Sequence, residues 1–421
     1  MSLRRFLNPE HSRREFLKVS LGGSMGVCLT SSLPVDLCAE ETSDKAMILL
    51  WMQGGPSQTD TFDPKPGHKN AGDFKAIRTT VNGIQICEHL PQVARQMKHI
   101  GLIRSVTSTE GSHERGRYML HTGYRPLGSA MHPSFGSIVS SEISSKSGSM
   151  PNFVSVNLPS IGPGFLGMIH SAFHVPKPEE GIPNATTAAG VNDARFNRRL
   201  KMLKSLETSF IRSGRGREAA DHLEVYQKGV RLMRSSSLKA FDLSRERDGV
   251  RDAYGRNAFG DGCLLARRLV QAGVKCVEVT LNGWDTHLRN FGKNRELMGI
   301  LDPAMSSLIR ELSERQLLDK TLIVWMGEFG RTPNVNVLSG RDHWPKGWSV
   351  ALAGAGISGG TVVGSTSRDG MEIKDRPVTV PDLFATFCQA LEINPNKKNY
   401  STNGRPISIV NKGNPVEELF G

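Results

Sequence analysis

Wholly apolar runs that break at once into glycine-rich polar loops recur along this chain. Ala46–Met52 (AMILLWM) gives way to QGGPSQTD, and Thr321–Met326 (TLIVWM) gives way to GEFGR. Runs that are apolar at every position, not at alternate ones, predict strands buried on both faces of a mainly parallel sheet. Ile100–Val106, Asn152–Val156 and Val274–Leu281 predict further strands, and Ser349–Ala353 and Thr361–Val363 two short ones. Between them the apolar spacing shifts to the helical period. Helices are predicted over Leu90–Met97, Pro133–Glu142, Ala258–Ala272, Leu297–Gln316 and Thr379–Leu391, and between Ser112 and Gly123. Ser112 and Thr379 are N-cap residue types, and Gly123 stands where a left-handed C-cap favours glycine. Strands alternating with helices predict one α/β domain: a mainly parallel central sheet flanked by helices.

Two stretches depart from the alternation. Gly162–Ala189 is rich in Pro and Gly without a period, and reads as a surface excursion. From Asp193 to Leu243 the pattern is helical and basic, with Leu200, Leu203, Leu206 and Phe210 at amphipathic spacing and a break at Gly214-Arg215-Gly216. It predicts a helical insertion over about 190–256. The domain itself is placed at 44–393, and the polar end, 394–421, is expected to wrap the surface as a tail.

Residues 1–39 read as a leader. Ser12–Lys18 (SRREFLK) matches the twin-arginine export pattern, and the Gly- and Ser-rich segment 19–35 is too polar and too short to span a membrane. Cleavage near Cys38-Ala39 would leave a periplasmic or extracellular bacterial protein, handled in transit by the twin-arginine machinery. The leader also supplies Arg4, Arg5, Arg13, Arg14 and Lys18 to the net charge of +12. The rest of the excess lies mostly in the helical region 195–268, and no nucleic-acid motif accompanies it, so nucleic acid is excluded as a partner. Cys87, Cys263, Cys276 and Cys388 show no C-x-x-C spacing, which argues for buried thiols over a zinc knuckle or redox pair.

The candidate chemistry sits at strand ends. Asp60 and Asp63 follow the first strand, His113 and Arg117 the second, Asp285 and His287 the strand 274–281, and Glu328, Arg331, Asp342 and His343 the strand 321–326. Loops at the carboxyl edge of a parallel sheet converge on one crevice. Carboxylates with imidazoles suit Zn, Mn or Fe, and an all-oxygen subset would suit Ca. Arg117 or Arg331 would grip an anionic substrate. Each has a plainer reading: Asp63 precedes a proline and suits a turn, Asp60 suits a cap, and Glu328 with Arg331 suits a local ion pair. No G-x-S-x-G elbow, G-x-G-x-x-G or Walker loop follows a strand.

Five ordered segments, GGPSQTDTFDPKP, HTGYRP, GWDTH, GEFGRTP and GRDHWP, resemble a bacterial family of exported proteins of unknown function in the alkaline phosphatase/sulfatase superfamily. The resemblance implies an alkaline-phosphatase-like α/β fold and a metal-dependent hydrolase of phosphate or sulfate esters, with a sulfated or phosphorylated glycan among its substrates. It places Arg117 on the arginine of the sulfatase motif and His113 on its nucleophile position, where sulfatases have Cys or Ser. Glu328 takes the place of an Asp ligand, Phe329 that of a His. Asp285, His287 and His343 resemble later ligands, Gln53-Gly54 replace the Asp ligands of the first strand, and Asp60 or Asp63 would substitute. His113 would then act as acid/base or nucleophile. The alternative implied by the missing Cys or Ser is a binding or scaffold protein on the same fold.

Overall fold

The apolar runs assemble into a nine-stranded sheet. A computed structural model describes residues 43–421 apart from 127, 129, 145–147, 184 and 213–216. The leader reading and the helix break at 214–216 therefore lie outside the described residues. In chain order the strands are β1 (Ala46–Gln53), β2 (Ile100–Thr107), β3 (Phe153–Val156), β4 (Phe173–Val175), β5 (Cys276–Asn282), β6 (Thr321–Met326), β7 (Trp348–Ala353), β8 (Val362–Val363) and β9 (Val378–Thr379). Across the sheet the order is β8-β2-β7-β6-β1-β5-β3-β4, and β9 also pairs with β2. Strand β7 runs antiparallel to both its neighbours, β2 and β6; the other pairings are parallel.

The register of the central strands decides where the chemistry goes. Gln53 pairs with Asn282, and Trp51 with both Thr280 and Met326. Strands β1, β5 and β6 thus end level, and the loops opening at Gly54, Gly283 and Gly327 leave from the same edge.

Helices named here are α1 (His113–Thr122), α2 (Phe135–Glu142), α3 (Asp193–Arg212), α4 (Arg217–Arg234), α5 (Ala258–Gln271), α6 (Asn290–Glu314) and α7 (Val380–Ala390). Side chains of β1 alternate between two cores, as a strand buried on both faces requires. Ile48, Leu50 and Met52 pack with Leu264 of α5 and Leu301 and Met305 of α6. Met47, Leu49 and Trp51 pack with Leu120 of α1, Phe135 of α2 and Phe384 of α7. Each such side chain, fully buried, contributes ~1.5–3 kcal/mol. Helix α7 is fixed at its start by a capping box between Thr379 and Asp382.

Three expectations need correction. Phe173–Val175, inside the aperiodic stretch, is the edge strand β4; three residues with one buried are too few to show a period. Helix α6 begins at Asn290, seven residues before the predicted Leu297, because its first turns are anchored by buried amides, not apolar side chains. The segment after Asn394 is no mere wrapping: Ile409, Val410, Val416 and Leu419 are buried in the core beneath α7. In the insertion, α3 buries no residue and is held to α4 by the Glu207–His222 pair at 2.6 Å and by Arg234 over Phe196. Cys87, Cys263, Cys276 and Cys388 are buried and unbridged. Among the described residues no helix is long and apolar enough to cross a membrane.

Candidate functional site

The strand-end loops meet because two glycines let backbones touch. Gly54, at φ 114°, lies so close to the next loop that a Cβ would sit 2.4 Å from the Asp285 amide nitrogen. Its own N–H donates to Glu328 Oε1 at 2.9 Å. Gly116 lets α1 press onto the end of β6, where a Cβ would meet Glu328 and Phe329 at 3.1–3.3 Å. After Phe329 the chain pairs Gly330–Arg331 antiparallel with His343–Trp344, placing His343 opposite Arg331. Phe329, fully buried, lies beneath the rings of His113 and His343, 5.1 and 4.6 Å away.

Three imidazoles face inward on one carboxylate oxygen. Their Nε2 atoms lie 3.3 Å (His113), 3.1 Å (His287) and 3.5 Å (His343) from Asp285 Oδ1. The Nε2 atoms of His287 and His343 are 2.9 Å apart. Every outer nitrogen faces an acceptor. Nδ1 of His113 donates to Glu328 Oε1 at 2.7 Å, that of His287 to Asp342 Oδ1 at 2.8 Å, and that of His343 to the Gly111 carbonyl at 2.8 Å. Carboxylates and carbonyls carry no proton to share, so the neutral rings hold theirs on Nδ1 and present Nε2 lone pairs inward. His113 Nε2 is buried without a hydrogen-bond partner among the described residues. Lone pairs aimed at each other and at a carboxylate repel unless a cation or an added proton sits among them. Donors ~2.0–2.1 Å from a tetrahedral ion stand roughly 3.3 Å from one another, close to these separations. Asp285, His113 and His343 offer ligand atoms mutually within 4.8 Å.

The charges are tuned to match. Burial raises the Asp285 carboxyl, but the Arg331 hydrogen bond and charge, with His113 and His287, outweigh it and hold the pKa at about 2. The hydrogen bond to Glu328 raises His113 against the opposing effect of burial. Burial lowers His343, which favours its neutral, lone-pair-bearing form. The hydrogen bond from His287 keeps Asp342 below the usual carboxylate range.

The structure sorts the sequence candidates. Asp285, His287 and His343 converge, and His113 joins them. Glu328 and Asp342, expected as ligands, lie behind the rings as Nδ1 acceptors. Arg331, expected to grip substrate, has a fully buried side chain; it donates to the carbonyls of Gly54, Gly55 and Arg341 and, at 2.6 Å, to Asp285. It positions the aspartate. Asp60 and Asp63 stand elsewhere, which removes them from the ligand set. Asp60 is fully buried between Arg341, at 2.7 and 2.8 Å, and Asn290, at 2.7 Å. Asp63 accepts from Lys65 at 2.8 Å and Thr366 at 2.5 Å. Sequence reasoning missed the Gly111 carbonyl, which no side-chain pattern reports. It also missed Glu278, the buried partner of His121 at 3.1 Å, whose signal was a lone carboxylate inside an apolar strand.

A cleft of about 570 Å³ opens beside the cluster, lined by His113, Asp285 and Glu328 together with Tyr118, Met131 and Ile161. Arg117, one helical turn beyond His113, also lines it. Its Nη2 donates to the Pro159 carbonyl at 2.7 Å, while its Nε is buried with no partner among the described residues.

The chain is similar to several solved structures at low identity. A PsFucS1 sulfatase from Pseudoalteromonas sp. is 12% identical with TM-score 0.40, over 83% of this chain and 68% of that one. The lipoteichoic acid synthase LtaP from Listeria monocytogenes is 10% identical with TM-score 0.38, over 88% and 75%. A protein of the alkaline phosphatase superfamily from Vibrio parahaemolyticus is 11% identical with TM-score 0.37, over 83% and 67%. Likeness of that degree assigns no activity to this chain. No curated protein matches it in sequence. The profile of one family covers residues 44–420, the whole sheet with its site and the C-terminal segment, and the chain therefore belongs to DUF1501, a family of proteins of unknown function.

Proposed function

We propose that this protein is an exported, metal-dependent hydrolase of phosphate or sulfate esters with an alkaline-phosphatase-like fold. The observation that carries the reading is the convergence of three Nε2 lone pairs on Asp285 Oδ1, each ring held from behind by an acceptor. That backing is the usual arrangement around metal-bound histidines, where it fixes tautomer and ring orientation. His113, His287, His343 and Asp285 would hold the ion, and three nitrogens with one oxygen suit Zn, Mn or Fe better than oxygen-seeking Ca. Bound there, the ion would supply a Lewis acid toward a phosphoryl or sulfuryl oxygen and acidify a water. Arg117, which lines the cleft, would take the anion, and Arg331 would keep Asp285 aimed. His113 on the nucleophile position of the resembling sulfatase motif is, in this reading, a ligand. The twin-arginine pattern at Ser12–Lys18 supports export after folding.

The test is hydrolysis of p-nitrophenyl phosphate and p-nitrophenyl sulfate by the metal-reloaded mature protein. Turnover removed by a chelator, restored by one of these metals and lost in His343→Ala is the expected result. A protein that holds metal yet turns over neither these nor a wider panel of esters would instead be the binding protein that the same fold allows.

A further inference from the structure

The loop that joins the two halves of the site turns apolar side chains to solvent. Between Arg331 and Arg341 the sequence is TPNVNVLSG, and Asn336 binds inward. Asn336 donates Nδ2 to the His287 carbonyl at 3.0 Å and to Asp342 Oδ1 at 3.3 Å, and receives the Gly340 N–H at 2.9 Å. The Leu338 and Ser339 carbonyls accept from the backbone of Arg289 and Asn290 at 3.2 and 2.9 Å, seating the loop against the segment after His287. Exposed beside Asn334 and Ser339 are Val335, Val337 and Leu338, with Leu288 from the facing segment. Val337 is fully exposed, and Leu338 and Leu288 are 61% and 46% exposed. Scattered exposed leucines need no explanation, but four apolar side chains on adjoining backbones beside a polar cluster do. Across the site the cleft wall adds Tyr118, Ile161 and Met131, the last 77% exposed. The charged lining of that cleft is His113, Glu114, Arg117, Asp285 and Glu328, a poor match for a densely sulfated or phosphorylated polymer.

We infer that the site takes amphiphilic esters: a single anionic head at Arg117 and the imidazole cluster, with an alkyl chain laid on the apolar rim formed by Leu288, Val335, Val337 and Leu338. The head is argued from Arg117 lining one cleft with His113 and Asp285, the chain from apolar side chains on the ligand-bearing loop. The inference names a substrate class for the hydrolase proposed above and rests on that reading only for turnover.

Binding is therefore tested without turnover. Butyl- and decylphosphonate, non-hydrolysable and kept monomeric, are titrated calorimetrically into the metal-loaded protein and into Val337→Asp/Leu338→Asp. Those two positions are exposed and carry none of the proposed ligands, and thermal melting with metal analysis verifies that the variant is folded and loaded. Decylphosphonate is expected to bind at least about tenfold more tightly than butylphosphonate to the parent protein, and less than about threefold more tightly to the variant, since added methylenes gain only where they are covered. Equal binding of both chain lengths by the parent, or an undiminished preference in the variant, overturns the inference. So does a parent dimer that the variant dissolves without any chain-length preference, because the rim then covers a second copy. Chain-length-dependent binding with no hydrolysis of any ester would sustain the rim and sink the hydrolase.

Discussion

Asp60 with Arg341, and Asp285 with Arg331, are both aspartate–arginine pairs built between the loops that follow the central strands. Both arginines have fully buried side chains and both donate to several backbone carbonyls. The aspartates differ. Asp60 is fully buried, and its two oxygens take three short hydrogen bonds from Arg341 and Asn290. Asp285 is about half exposed, and one of its oxygens faces Arg331 and three imidazole nitrogens at once. The first pair is complete as it stands and fastens loops together. The second turns three imidazole nitrogens onto an oxygen whose one arginine donor is Arg331, and that incompleteness marks it as the place for a ligand.

Stability should separate the pairs most strongly. Asp60→Ala strips a buried arginine of its counter-charge, a change that typically costs about 3–5 kcal/mol. Asp285→Ala should cost less, because Arg331, although buried too, keeps the charges of Glu328 and Asp342 near it. Denaturant unfolding of the metal-free proteins decides it, and equal losses would erase the distinction.

Metal affinity should respond the other way. Asp342→Ala removes the acceptor behind His287, and such losses weaken metal binding by about 10–100-fold. Folding should hardly change, since Asp342 is itself more than half exposed. Competitive chelator titration measures the first effect and thermal melting the second. An Asp342→Ala protein with unaltered affinity would make the histidine backing incidental.

Acid should then loosen the metal. The raised pKa of His113 means its charged form contributes stability to the metal-free fold below the usual histidine range, and that contribution fades as pH rises through the raised value. The ion needs the neutral ring, so the melting difference between loaded and metal-free protein should widen from about pH 6 to about pH 8. A difference that stays flat or narrows over that range contradicts the ligand role of His113.

Arg117→Gln should have the smallest effect, weakening inhibition by inorganic phosphate by roughly three- to tenfold, the scale of one charge-assisted hydrogen bond in a solvated cleft. Metal content should be untouched. Unchanged inhibition would remove Arg117 from the anion site.

The fold was largely legible because buried parallel strands write themselves as continuous apolar runs; β6 begins and ends where its sequence predicts. Short edge strands such as β4 and the amide-anchored start of α6 left no such trace. In the site, the types of residue and the loops they sit on were readable, and the division of labour was not. Asp60 and Asp285 look alike in one dimension, each a carboxylate in a strand-end loop. Only the approach of Arg341 and Asn290 from distant segments closes one of them. Glu328 and Asp342 likewise read as ligands until the direction of each imidazole shows them behind the rings.

The most direct measurement is the metal content of the purified mature protein, by elemental analysis, beside a His287→Ala/His343→Ala variant. The account predicts close to one equivalent of Zn, Mn or Fe per chain in the parent and almost none in the variant, with both folded. A parent that holds no metal after reloading, or a variant that keeps it, would contradict the account at its centre.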